Sequence, residues 1–135
     1  MKPDQEELVV RVLLADDHAI VRRELVRLLG EEPGIEVVGE AASGREALEV
    51  ADRVQPDVVL MDVSMPDMDG VEAARRLIAQ QPDVKVIGLS MYEDGKLKQR
   101  MQEVGAVDYV SKGGDIDVLI QAVQRWAHRP EPEMA

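Results

Sequence analysis

Val9-Val10-Arg11-Val12-Leu13-Leu14-Ala15-Asp16-Asp17 is a nearly unbroken apolar run that ends on two carboxylates. A strand open to water on one face alternates apolar and polar residues, whereas a strand covered on both faces is continuously apolar. The run therefore reads as a strand, Val9 to Ala15, inside a parallel sheet. Asp57-Val58-Val59-Leu60-Met61, followed by Asp62, is of the same kind, as is Val84-Lys85-Val86-Ile87-Gly88-Leu89, followed by Ser90. The strand from Glu36 to Ala41 carries Glu36, Gly39 and Glu40, and the strand from Val107 to Val110 carries Asp108. Polar residues of this sort place those two strands at the edges.

Between the strands the apolar period becomes helical. Val21, Leu25 and Leu28 form one stripe from Ala19 to Leu29, with Arg22, Arg23, Glu24 and Arg27 on the other face. Ser43-Gly44-Arg45-Glu46 is a capping box ahead of Ala47, Val50, Ala51 and Val54. Asp69 is placed to cap a helix that buries Val71, Ala74, Leu77 and Ile78. From Glu93 to Val104 the stripe thins to Leu97, Met101 and Val104, with Gly95 in the first turn, so this helix is weak. Ile116, Leu119, Ile120, Val123 and Ala127 make the last helix strongly amphipathic. Five strands alternating with five helices predict an α/β fold of the flavodoxin-like, doubly wound type. Its five-stranded parallel sheet runs in the order 2-1-3-4-5 with helices on both faces.

At 135 residues the chain has room for one domain, read here as residues 9–128. Residues 1–8 are an N-terminal extension, and residues 129–135 are a tail or the start of a linker. A net charge of −11 excludes a surface made to grip nucleic-acid phosphates or anionic membranes. The absence of cysteine excludes disulfides, thiolate metal sites and thiol catalysis. With no signal-like apolar start and no membrane-length run, a cytoplasmic location is expected.

In an open α/β sheet, ligands sit outside the carboxyl ends of the strands where strand order reverses. Here that point lies between strands one and three, so Asp16, Asp17 and Asp62 should converge, with Ser90 and Lys112 on the next two strand ends. Each has an ordinary alternative: a helix cap for Asp17, a turn residue for Ser90, a solvated lysine for Lys112. For Asp62 the ordinary alternative is a purely structural carboxylate, a costly one because the residue follows a run that should be buried. Three clustered carboxylates need a cation, and an all-oxygen set suits magnesium. The chemistry suggested is phosphoryl transfer onto an aspartate that is already ionised near neutral pH. Lys112 and the metal neutralise charge, and Ser90 donates a hydrogen bond. His18 reads as a solvent-facing residue at the first helix start, and Met61, Met65 and Met68 as packing.

Leu14-Ala15-Asp16-Asp17-His18, Val59-Leu60-Met61-Asp62, Met65-Pro66, Asp69-Gly70, Leu89-Ser90 and Val110-Ser111-Lys112 together resemble the receiver domain of bacterial two-component response regulators. The likeness runs from about Val9 to His128 and is similar to the subfamily with a LuxR-type helix-turn-helix output. It implies a phosphorylation-dependent switch, not an enzyme beyond its own phosphorylation and slow dephosphorylation. Asp62 would be phosphorylated from a sensor histidine kinase or phosphotransfer protein. Asp17, Asp62 and the Ser64 backbone carbonyl would ligate Mg2+, and Asp16 would act mostly through a water. Lys112 would pair with the phosphoryl group, while Ser90 and Tyr109 would act as the switch. A second copy of the chain is a further implied partner on phosphorylation; nucleic acid and membrane are not.

Three alternatives remain at this point: a magnesium-dependent aspartyl phosphatase of the haloacid-dehalogenase type, a flavin-mononucleotide module, and a receiver-like scaffold that is never phosphorylated. Two physical expectations complete the reading. Lys112–Gly113 lacks proline and should be trans. Repulsion among the three carboxylates should make Asp16→Asn raise the metal-free melting point.

Overall fold

The computed structural model describes residues 9–65, 68–91 and 95–127. Five parallel strands form one sheet in the order β2-β1-β3-β4-β5. They are β1 (Val10–Ala15), β2 (Ile35–Ala41), β3 (Val58–Asp62), β4 (Lys85–Ser90) and β5 (Asp108–Ser111). The helices are α1 (Ala19–Gly30), α2 (Gly44–Val54), α3 (Gly70–Gln80), α4 (Gly95–Glu103) and α5 (Ile116–Ala127). Order and alternation are as expected, with boundaries moved by a residue or two. Glu93 and His128 lie outside the described residues.

The apolar runs are continuous because the sheet has a core on each side. Leu13, Ala15, Val59, Met61 and Val86 pack with α2, α3 and Met101 of α4. Val12, Leu14, Val58, Leu60, Ile87 and Leu89 pack with Leu25 and Leu29 of α1 and with Leu119, Ala122 and Val123 of α5. Met61 and Met65 are buried and Met68 lies against the first of these cores, so the methionines are packing, as read. At the β2 edge the pairing slips, Val12 facing Val37 but Leu13 facing Gly39.

The stripe of α1 is shifted from its expected position. Leu29 is fully buried, whereas Leu28 is half-buried and lines a groove beside Ile116 and Leu119. Val21, Leu25 and Leu29 follow the i, i+4, i+8 row, and that row faces the sheet. The first half of the capping box forms, Glu46 N–H donating to Ser43 Oγ at 3.1 Å, while the Glu46 carboxylate reaches one residue further back and accepts from Ala42 N–H at 2.7 Å. Asp69 caps α3 through Glu72 N–H at 2.8 Å. Asp17 is not a cap, because His18 occupies the N-cap position of α1. Lys112–Gly113 is trans, since the described residues contain no cis peptide.

Gly70 fixes how close α3 comes to the end of β3. A Cβ there would run into the Asp62 carbonyl oxygen and stand 2.6 Å from Val63 Cα, both of them backbone. Gly70→Ala must therefore push α3 away from Asp62. The expected loss is about 1–3 kcal/mol, as for overpacked sites. Urea unfolding checks this, and an unchanged midpoint would mean that α3 is free to slide.

Candidate functional site

Side chains alternate across a strand, and that period decides which polar residues share a face. Val10, Val12 and Leu14 face α1 and α5; continuing the alternation puts Asp16 on that side. Val58 and Leu60 do the same for Asp62, and Val110 for Lys112. Ser90 and Tyr109 fall on the opposite side, where Tyr109 packs with the α2–α4 core. The sheet ladder also runs past the strand ends: Asp16 N–H donates to Ala41 O at 2.9 Å, Val63 N–H to Leu89 O at 3.0 Å, and Lys112 N–H to Ser90 O at 2.9 Å. Each chemical group is thus anchored by sheet hydrogen bonds.

Asp16, Asp62, Ser90 and Lys112 are the buried polar residues at this end. The Lys112 ammonium donates to Asp16 Oδ2 at 2.9 Å and to Asp62 Oδ2 at 3.0 Å. The remaining oxygens are held by backbone, His18 N–H reaching Asp16 Oδ1 at 2.8 Å and Ser64 N–H reaching Asp62 Oδ1 at 3.0 Å. Asp17 Oδ1 is buried and accepts no hydrogen bond among the described residues. One ligand atom from each of Asp16, Asp17, His18 and Asp62 lies within 4.8 Å of all the others. A buried carboxylate oxygen without a donor, in a set rich in oxygens, fits a hard divalent cation such as magnesium. Asp16, Asp17 and Asp62 would hold it.

The two buried aspartates differ. Burial is the largest influence on Asp62 and pushes its carboxyl up to about 6; Ser64 N–H and Lys112 resist, and Asp16 adds to the rise. Burial also acts on Asp16, but the His18 N–H and Lys112 outweigh it and hold that carboxyl below its ordinary value. Burial pulls the Lys112 ammonium down, and its bonds to Asp16 and Asp62 more than reverse this. Asp62 is thus still ionised at pH 7, though less securely than an ordinary aspartate. Burial therefore weighs against the ionised form most at Asp62, whereas the His18 N–H and Lys112 favour it at Asp16, and this reverses the direction expected for Asp16→Asn.

Two residues depart from their expected places. Arg22, assigned to the outer face of α1, is 13% exposed in its side chain and turns over the end of β1. Its guanidinium donates to Asp16 O at 2.7 Å and to Glu40 Oε1 at 3.0 Å. Position 22 lies at the border of the apolar stripe, a boundary that periodicity alone leaves undecided. His18 is 58% exposed in its side chain, as a solvent-facing residue should be, yet Nδ1 points inward, 3.3 Å from Asp16 Oδ1 and from Asp17 Oδ1. Tyr109 packs over Gly88, and its hydroxyl has no hydrogen-bond partner among the described residues. Ser64 is exposed at the mouth of the site.

The sequence model of the response regulator receiver domain matches residues 12–124. The response regulator GacA of Pseudomonas viridiflava is 41% identical over 116 residues, which are 86% of this chain and 54% of that protein. The chain thus spans about half the length of that relative. A protein-glutamate methylesterase/protein-glutamine glutaminase of Alkalilimnicola ehrlichii is 42% identical over 118 residues, 86% of this chain and 30% of that protein. Among solved structures, a LuxR-family two-component response regulator from Aurantimonas sp. SI85-9A1 superposes with a TM-score of 0.84 at 34% identity, covering 88% of this chain and 85% of that one.

Proposed function

The chain belongs to the receiver-domain family of two-component response regulators, and on that premise we propose that Asp62 is its phosphoacceptor, with Lys112, Ser90 and Tyr109 as the groups that stabilise and read the phosphoryl group. Receiver domains are signalling modules that exchange phosphoryl groups with histidine kinases or phosphotransfer proteins and bind Mg2+ at an acidic pocket. The observation that carries the assignment is Asp62 itself, a carboxylate 1% exposed at the end of a buried strand. It is held from one side by Ser64 N–H and from the other by an ammonium shared with Asp16. No packing need explains so costly an arrangement.

In the proposed step an Asp62 carboxylate oxygen attacks the phosphorus of a phosphohistidine. The P–O bond forms as the P–N bond breaks, and the donor imidazole leaves. A metal bound by Asp16, Asp17 and Asp62, with the Ser64 carbonyl, would neutralise charge on the phosphoryl oxygens. Lys112 trades one of its two carboxylate contacts for a phosphoryl oxygen. Arg22 keeps the end of β1, and so Asp16, in position. Ser90 and Tyr109, on the other face of the sheet, carry the change toward α4. The transcriptional regulatory protein DegU of Brevibacillus brevis, 40% identical over 124 residues, supports a transcriptional output for the signal. The activity of the methylesterase relative is that of a protein of which this chain spans 30%.

Incubation with acetyl phosphate and magnesium, followed by intact-mass and peptide analysis, tests the reading. One phosphoryl group is expected, on Asp62, absent in Asp62→Ala and in EDTA. Labelling elsewhere, or equally in EDTA, would overturn it. Sustained turnover of small phosphate esters would favour the aspartyl phosphatase instead, although Ser64 stands where those enzymes carry a second aspartate.

A further inference from the structure

Gly88 stands in the interior of β4, between Ile87 and Leu89, which are fully buried. Glycine weakens a strand interior, because it loses the most chain entropy on folding and offers no side chain to pack. The backbone gives no reason for it, since the described glycines with positive φ are Gly34 and Gly105. The reason lies across the sheet. Gly88 is opposite Tyr109 in the β4–β5 register. Alternation along β4 turns position 88 to the same side as Val86 and Ser90, toward the core shared with α2, α3 and α4. A Cβ there would stand 2.8 Å from Tyr109 Cδ1, 3.3 Å from Tyr109 Cε1 and 3.1 Å from Met101 Cε. At Gly30, Gly95 and Gly113 a Cβ would meet nothing within 4 Å. The ring of the β5 tyrosine and the tip of a fully buried α4 methionine thus close on the space above the Gly88 α-carbon.

We propose that Gly88 is a positioning residue for the switch: the space above its α-carbon is the seat that holds the Tyr109 ring inward and joins it to Met101 of α4. The proposal deepens the reading of Tyr109 as a switch residue and rests on it. Packing holds the ring, because its buried hydroxyl has no hydrogen-bond partner among the described residues. An unpaired buried hydroxyl favours any position in which it meets water, and the seat offsets that bias. Cδ1 lies at the root of the ring, so a methyl group at position 88 is not accommodated by a small movement of a side-chain tip. The ring must turn outward. Met101 is unbranched and flexible, so it can yield where the ring cannot. Ser90 follows two residues later on the same side of β4, so its shift toward a phosphoryl group acts beside the seat.

Nitration of the whole chain with tetranitromethane, read by peptide mass analysis, measures how open the Tyr109 phenol is. Gly88→Ala should be nitrated at Tyr109 severalfold faster than the wild type. A double-mutant cycle separates the ring from the strand. Gly88→Ala should lower the urea midpoint when Tyr109 is present, and the loss should vanish in Tyr109→Leu, whose smaller side chain leaves the space open. Where Gly88→Ala does not fold, folding of the double variant gives the same answer, and its failure to fold counts against the seat. With acetyl phosphate and magnesium, Gly88→Ala should still take up one phosphoryl group. Hydrogen exchange along α4, altered by phosphorylation in the wild type, should no longer respond in the variant. Equal nitration of wild type and variant, an equal midpoint loss in both backgrounds, or a phosphorylated variant whose α4 responds as the wild type does would each overturn the proposal. A wild type that takes up no phosphoryl group, with nitration and midpoints as expected, would sink the phosphoacceptor reading and leave the seat standing.

Discussion

Replacing Lys112 with methionine is expected to cost the cation-free protein about 3–5 kcal/mol of unfolding free energy, the penalty for breaking a buried ion pair by removing one partner. Methionine fills similar volume, so the loss is electrostatic. The ammonium is the shared partner of Asp16 Oδ2 and Asp62 Oδ2, and all three side chains are at most 2% exposed. Without it two carboxylates face each other in a poorly solvated site. The sign follows from the raised Lys112 pKa. Stability from a raised lysine is fully present below the unfolded value, near 10.4, and lost only as pH rises through the folded one. At pH 7.5 the whole contribution is therefore at stake. Total stabilities run to about 5–15 kcal/mol, so the variant should be near the edge of folding. Acidification toward pH 5 should recover part of the loss as Asp62 takes up a proton, and magnesium should recover part by supplying the missing charge. Urea unfolding at pH 5 and 7.5, in EDTA and in magnesium, measures all four values. A loss under about 1 kcal/mol in EDTA at pH 7.5, the range of an exposed pair, would show that the carboxylates do not depend on this ammonium.

Most of this site could be read from the sequence, for a physical reason. A strand buried on both faces is apolar over most of its length, so the carboxylate that follows Val58–Met61 marks both the strand end and a costly position. Two edge strands with charged residues then fix the strand order, and the order fixes which ends meet. What escaped depends on atoms a few ångströms apart. Arg22 sits at a stripe boundary, and a turn of its side chain converts a surface arginine into a clamp on Asp16 O. Periodicity reports the direction of Cβ, not where a long side chain ends. The inward Nδ1 of His18 is likewise a matter of one rotamer. Asp16 and Asp62 look equivalent as letters and even share Lys112. They part because desolvation wins at Asp62 and loses at Asp16, a balance that spacing cannot encode.

That asymmetry sets the direction of the second large effect. Asp62→Asn should stabilise the cation-free protein at pH 7.5, whereas Asp16→Asn should destabilise it. Asp62 moves from an ordinary value near 4 to about 6 on folding. The folded state therefore holds that proton more tightly, and stability is lost as pH rises from about 4 to about 6. A shift of this size corresponds to roughly 3 kcal/mol, all of it a cost at pH 7.5. An asparagine keeps an acceptor for Ser64 N–H and removes the charge that burial penalises. Asp16 behaves in the opposite sense: its carboxyl is lowered, so its contribution is present above the ordinary value and lost only as pH falls through the lowered one. Magnesium should close the gap, because at about 100 times its Kd it adds about 2.7 kcal/mol to the wild type, and far less to a variant missing a ligand. Urea unfolding in EDTA at pH 4.5 and 7.5 should therefore show Asp62→Asn near wild type at the lower pH and well above it at the higher. A gain of the same size at both pH values would mean that ionisation of Asp62 is not the source. An Asp16→Asn protein more stable than wild type would place the strain on the first strand, not at the buried carboxylate of Asp62.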